Sequence, residues 1–118
     1  NLQGQSLAPI LADPGLPGRG WALSQVARGP RTKRTFGFTL RTPRWRYTEW
    51  DQGRQGRELY DHENDPLEQN NLAEDSAQSK RVAAWSAQIQ ATAAATLPES
   101  GEIPPLRERT WAPNLTHP

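Results

Sequence analysis

Apolar residues alternate with polar ones from Phe36 to Trp50, and from Val82 they recur at every third or fourth position instead. Phe36, Phe38 and Leu40 alternate with Gly37, Thr39 and Arg41, the period of a strand with one buried face. Trp45, Tyr47 and Glu49 then alternate with Arg46, Thr48 and Trp50, and aromatic residues at this spacing pair well across antiparallel strands. Thr42-Pro43-Arg44 between the two runs predicts a turn, because proline presets φ for the second position of a type I or II turn and lacks a ladder donor. Asp51 to Gly56 reads as a mobile, glycine-flanked connection to a further strand at Glu58-Leu59-Tyr60. Such a sheet needs a cover. Val82, Trp85, Ile89 and Ala93 form one stripe of an amphipathic helix that can provide it. Asp75 or Ser76 is its predicted N-cap, with Gln78 placed as in a capping box; an alanine-rich run extends it to Ala95 and Pro98 ends it.

Upstream the pattern is weaker. Leu2 to Leu11 reads as a glycine turn followed by one short helical turn, and Asp13 to Gly20, with two prolines and three glycines, as a loop. Trp21 to Val26 has the length and apolar content of a short strand, although a helical turn also fits, and Ala27 to Arg34 reads as a basic loop. The expected fold is therefore α+β: a small antiparallel sheet of about four strands packed on one long amphipathic helix, with a Pro-rich C-terminal tail. Residues 1–20 are a lead-in segment and loop, 21–97 the sheet and helix, and 98–118 a tail that is extended against the body or disordered.

Composition limits what such a unit can do alone. Only 34 % of the 118 residues are hydrophobic, and 11 prolines with 9 glycines interrupt them, so the core is small and a partner surface is expected. A small loop-rich domain, stable by itself, is the alternative. With no cysteine there is neither a disulfide nor a thiolate nucleophile. No stretch has the length and apolarity of a membrane span, and no signal-peptide pattern opens the sequence. The chain begins at Asn1 and has no methionine, as a processed chain, a proteolytic fragment or a partial chain would.

The net charge of +1 hides a polarised distribution. Nine basic residues lie between Arg28 and Arg57 against two acids, whereas Glu58 to Asp75 holds seven acids and no lysine or arginine. The basic stretch would concentrate an anionic ligand; a solvated arginine-rich hairpin face is the plainer account.

No catalytic constellation is legible. There is no glycine-rich phosphate loop, no pair of histidines at metal spacing and no Ser, His and Asp in a triad motif. Asp61-His62-Glu63-Asn64-Asp65 invites a calcium reading, but Pro66 stands where an EF-hand loop needs glycine and its twelfth position is not Glu. An acidic turn whose side chains bond local amides is the better reading. His62 reads as a packed or hydrogen-bonded histidine, and His117 carries no assignable role. Arg44, Trp45, Arg46, Tyr47 and Trp50 interleave charge with aromatics as single-stranded nucleic-acid binders do. Strand alternation puts Trp45 and Tyr47 on one face and Arg46 on the other, so a core role is preferred and no nucleic-acid partner is expected. Asn114-Leu115-Thr116 is a formal glycosylation sequon of the kind that arises often by chance.

Taken together, these segments resemble the C-terminal subdomain of type I sulfatases, in the alkaline-phosphatase-like superfamily, and the iduronate-2-sulfatase-like branch in particular. Gly37 through Arg41-Thr42, then Arg46-Tyr47-Thr48 and Trp50, is similar to that branch's GYSIRT…YRYT.W pattern. Glu58-Leu59-Tyr60-Asp61, Asp65-Pro66, Glu68 and Asn71-Leu72 resemble the ELYD…DP.E..NL ending common across sulfatases. Ser24-Gln25 followed by Arg28 is similar to a strand and basic loop of the branch, and Leu2-Gln3-Gly4 through Ser6-Leu7 and Leu11 resembles the crossing between subdomains. The resemblance covers residues 2–97. It implies the C-terminal part of an α/β sulfatase fold, non-catalytic alone, completing the fold and one wall of the cleft of an enzyme that hydrolyses sulfate esters of a sulfated sugar. The family's Cys/Ser-x-Pro-x-Arg motif, oxidised to formylglycine, is absent here. Formylglycine and calcium are thus expected on an N-terminal catalytic chain or segment, the implied partner, with no cofactor in this chain. Gln25, Arg28, Lys33 and Arg34 are the candidate contacts to the anionic sulfated substrate, against the alternative that they face solvent or pair with acids of the catalytic part. A periplasmic, secreted or lysosome-like compartment follows from the resemblance only. A free-standing polyanion- or carbohydrate-binding module using the basic hairpin and loop is the competing function.

Overall fold

Strand pairing follows the alternation. The computed structural model describes residues 5–30 and 33–96. Strands β1 (Ala22–Arg28), β2 (Thr35–Arg41), β3 (Trp45–Trp50) and β4 (Arg57–Asp61) form an antiparallel meander in sequence order. Register places Leu23, Leu40, Tyr47 and Leu59 opposite one another in a row across all four strands. Three of these, Leu40, Tyr47 and Leu59, have no solvent exposure. Burying a side chain of this size contributes about 1.5–3 kcal/mol, so the row is the main source of cohesion in the sheet.

The helix covers that row. A single 3₁₀ turn (Ser76–Gln78) leads into α2 (Ser79–Thr96), whose Ile89 is buried and whose Val82 and Trp85 pack against the same cluster. Trp85 meets Trp45 edge-on and Tyr47 at a tilt, each with ring centroids 6.3 Å apart, an arrangement favoured by the ring quadrupoles. Asp75 is the N-cap, its carboxylate accepting from the Ala77 amide at 2.9 Å. The expected capping box does not form: Gln78 instead accepts from Arg81 Nε at 3.1 Å. The start of the helix as a 3₁₀ turn puts Gln78 beside Arg81, which lies over the Trp45 ring at 4.0 Å.

The Thr42–Trp45 turn closes β2 on β3 through Thr42, whose amide donates to the Trp45 carbonyl and whose hydroxyl accepts from the Trp45 amide, both at 2.9 Å. Two sequence expectations need correction. Asp51 to Gly56 is a hydrogen-bonded turn rather than a loose connection: the Trp50 carbonyl accepts from Gly53 and Gln55, and Asp51 pairs with Arg54. Ala27 and Arg28 belong to β1, paired with Phe36 and Thr35, and not to the loop that follows. An edge strand needs only backbone bonds on one side, so its exposed side chains hide it from the hydrophobic pattern. Upstream, α1 (Ala8–Ala12) is the short helical turn expected before Pro14. Leu2 to Gly4, Arg31 and the tail after residue 97 lie outside the described residues. Among the described residues, no helix is long and apolar enough to cross a membrane.

Candidate functional site

Charged side chains concentrate at the two ends of the sheet. At the end that carries the β2–β3 turn, almost every one is engaged. Arg44 binds Asp61 through Nε at 2.8 Å and Nη2 at 2.6 Å, and reaches Glu63 with Nη1 at 2.5 Å. Asp61 also accepts from Asn64 Nδ2 at 2.8 Å and from the Glu63 amide at 3.2 Å. The Arg44 guanidinium, with these added donors, holds the Asp61 carboxyl down at about 2. Arg46 grips both oxygens of Glu68, whose Oε1 lies 2.6 Å from His62 Nε2. On its other side, His62 Nδ1 lies 2.9 Å from Arg41 Nη2. A guanidinium can only donate, so Nδ1 is the acceptor and Nε2–H donates to Glu68. Burial pushes the Glu68 carboxyl up, but Arg46 and His62 outweigh it and hold it below its ordinary value.

The acidic turn completes this end. Asp65 accepts the amides of Gln69 and Asn70 at 3.0 and 2.8 Å, and these backbone donors hold its carboxyl below the ordinary value. Asn71 Oδ1 accepts from the amides of Leu59 and Ala73, and its Nδ2 donates to the Arg57 carbonyl, stitching the chain along β4. Asp61, Asp65, Glu68 and Asn71 of the ELYD and DP.E..NL signatures are therefore the fasteners of the turn. Among the described residues, no group of His, Asp and Glu could hold a metal ion, and no described carboxylate of the turn is left to supply one.

The opposite end gathers the β1–β2 and β3–β4 connections, joined by the Thr35 hydroxyl on Gln55 Oε1 at 3.2 Å and by the Asp51 amide on the Phe36 carbonyl at 2.9 Å. Gly29, at φ +90°, closes the first connection: a Cβ there would stand 2.5 Å from the Lys33 carbonyl oxygen. Arg28 lies with its guanidinium carbon 3.7 Å from the centroid of the Trp50 ring. Trp50 is only 7 % exposed, because Gly37 opposite it leaves space for the ring; a Cβ there would come within 2.6 Å of it. The indole N–H donates to Glu58 Oε1 at 3.3 Å. Arg28, Lys33 and Arg34 are exposed, and among the described residues none of them forms an ion pair.

Of the four sequence candidates, Arg28, Lys33 and Arg34 therefore share one hairpin end. Gln25 does not join them: it pairs with Phe38 and lies on the helix side of the sheet, whereas Arg28, three residues on, lies on the other side. The sequence expectations do not include Trp50 as the partner of Arg28, nor Gly37 as the residue that makes room for its ring. The usable signal was the alternation itself, which sets Trp50 on the face away from Trp45 and Tyr47.

No protein-family model matches the chain, and no curated protein matches it. Solved structures do. A candidate sulfatase from Bacteroides thetaiotaomicron VPI-5482 is 33 % identical, with a TM-score of 0.64 over 79 % of this chain and 20 % of its own. A 2-O GAG sulfatase matches with the same identity, TM-score and coverage. The phosphonate monoester hydrolase of Agrobacterium radiobacter, 21 % identical, covers 92 % of this chain and 24 % of its own with a TM-score of 0.65, a likeness of fold alone. The chain spans about a fifth of the length of the sulfatase structures it matches. Its four-stranded sheet and long helix match the C-terminal part of a sulfatase fold.

Proposed function

We propose that this chain is the non-catalytic C-terminal subdomain of a sulfatase of the iduronate-2-sulfatase-like branch, completing the fold and one wall of the cleft of an enzyme that hydrolyses sulfate esters of a sulfated sugar. The observation that carries the reading is the 33 % identity to two sulfatase structures over 79 % of the chain, matched to a fifth of theirs. One of those proteins is a 2-O GAG sulfatase, and glycosaminoglycans are sulfated polysaccharides, which supports the substrate class. The nucleophile, formylglycine, and the calcium ion are assigned to an N-terminal catalytic segment. Supporting that assignment, the chain carries no Cys/Ser-x-Pro-x-Arg motif, and the carboxylates Asp61, Glu63, Asp65 and Glu68 of its acidic turn are already engaged.

In this reading the paired end of the sheet is scaffold. The end carrying Arg28, Lys33 and Arg34 faces the substrate, raising the local concentration of a polyanion and orienting it. Gln25, on the other side of β1, would contact the catalytic segment or a different part of the substrate.

The test is to determine the polypeptide preceding Asn1 and to assay the full-length protein on sulfated disaccharides. A Cys/Ser-x-Pro-x-Arg motif upstream with release of inorganic sulfate is the expected result. A 118-residue chain that folds as a monomer and releases no sulfate would overturn it. The competing reading, a free-standing polyanion-binding module, draws on the unneutralised cations of the same hairpin. Heparin retention by such a self-sufficient monomer, lost on joint replacement of Arg28, Lys33 and Arg34 by alanine, would establish it.

A further inference from the structure

We infer that Arg28, stacked over Trp50, is a preorganised fork that reads one oxyanion of the sugar, a sulfate or a carboxylate, and that Trp50 is its positioning residue. This deepens the sulfated-sugar reading and rests on it for the class of ligand. At 3.7 Å from the ring centroid the guanidinium lies over the indole, and a face-on orientation keeps all three of its nitrogens clear of the ring. That arrangement spends the face of the group on the ring and leaves its in-plane N–H donors along the edge. A guanidinium so held presents two parallel donors to an oxyanion with little further loss of rotamer freedom, as a lysine ammonium cannot.

Three further observations show that the platform is built rather than casual. Trp50 is 7 % exposed and its N–H is tied to Glu58 at 3.3 Å, so the ring cannot swing with the arginine. Gly37 provides the space in which it lies, where any Cβ would collide with the ring at 2.6 Å. Arg28 itself has no carboxylate partner among the described residues, whereas Arg44 and Arg46 each have two and Arg54 has one. Lys33 and Arg34 follow on the same hairpin and add charge without a platform of their own.

Calorimetric titration of the full-length protein tests this, with a heparin-derived disaccharide that carries 2-O-, N- and 6-O-sulfates and with its fully desulfated counterpart that keeps the uronate carboxylate. Arg28→Ala is expected to weaken binding of the sulfated disaccharide about tenfold or more. Arg28→Lys is expected to stay at least about fivefold weak although it keeps the charge. Trp50→Phe, a poorer platform, is expected to lose about twofold to threefold. Near-ultraviolet circular dichroism establishes that each variant is folded. Arg28-dependent binding that vanishes on desulfation identifies a sulfate; if it survives desulfation, the carboxylate is the group read. Wild-type affinity in Arg28→Ala or in Arg28→Lys, or no binding of either disaccharide by the wild type, overturns the inference. Sulfate release is scored separately: hydrolysis with Arg28-independent binding removes this inference alone, and Arg28-dependent binding without hydrolysis removes the sulfatase reading alone.

Discussion

At the β2–β3 end of the sheet Arg41, Arg44 and Arg46 each end on a histidine or a carboxylate, whereas at the β1–β2 end Arg28 ends on an indole ring and Lys33 and Arg34 meet no acid among the described residues. The two ends share one sheet and one core, so the difference lies in what the cations are given to bind. A guanidinium with its hydrogen bonds already made to protein has little left for a ligand. One stacked by its face keeps its donors. The charged residues of the ELYD and DP.E..NL signatures are occupied at the first end, whereas the cations proposed to read an anion keep their donors at the second.

The comparison presupposes that both ends rest on the same core. Leu40→Ala, which removes the centre of the row Leu23, Leu40, Tyr47 and Leu59, is expected to cost about 2–5 kcal/mol and to loosen both ends together. Chemical denaturation of the full-length protein, read by hydrogen exchange at both connections, checks it. Protection lost at one end only would mean that the ends are independent units. Next in size, Asn71→Ala strips the amides of Leu59 and Ala73 and the Arg57 carbonyl of their side-chain partner, and is expected to cost about 1–2 kcal/mol along β4 without reaching β2. Exchange of the Leu59 amide should accelerate while the Thr35 to Arg41 amides stay protected.

A smaller effect carries a pH signature. Asp61 titrates at about 2 in the fold, against roughly 3.9 in an unfolded chain. A carboxyl held down by Arg44 stabilises the protein fully above its unfolded value and loses that contribution as the pH falls through its folded value. Asp61→Asn should therefore lower the unfolding midpoint at pH 7 and converge on the wild type near pH 2. A difference that persists unchanged at pH 2 would show that shape rather than charge matters at this position. Tyr47 gives the opposite limb. Burial, with the nearby Glu49 carboxylate, pushes its phenol up to about 12, so its contribution is complete below about 10 and fades as the pH rises toward 12.

Much of this contrast was readable in the chain, and the unread part has one cause. The alternation from Phe36 to Trp50 fixed which residues face the helix, and Asp75 announced its capping role, because both depend on spacing along a single segment. The acidic turn was also legible, since Asx-type side chains bond amides a few residues away. The sequence pattern puts Arg28 in a loop because β1 is an edge strand with only Leu23 partly buried along its length, leaving no alternation to detect. Its stack on Trp50 joins residues on β1 and β3, with Gly37 of β2 between them, and no local pattern encodes that crossing. The separation of Gln25 from Arg28 followed from period two once the strand was known to extend through both.

The smallest expected change discriminates best between the ends. Lys33 is exposed beside the closed Gly29 turn and has no ion pair among the described residues, so Lys33→Glu should alter stability by no more than about 0.5 kcal/mol. The same change reverses a charge next to Arg28 and Arg34, and retention of the full-length protein on heparin should shift to clearly lower salt. A stabilising or neutral change with weakened retention is the pattern of a ligand-facing end, where the cations repel one another in the absence of an anion. If Lys33→Glu instead lowered the unfolding midpoint as far as Asp61→Asn does, Lys33 would have an acidic partner in the native protein. The two ends would then be alike, and the hairpin would join the scaffold.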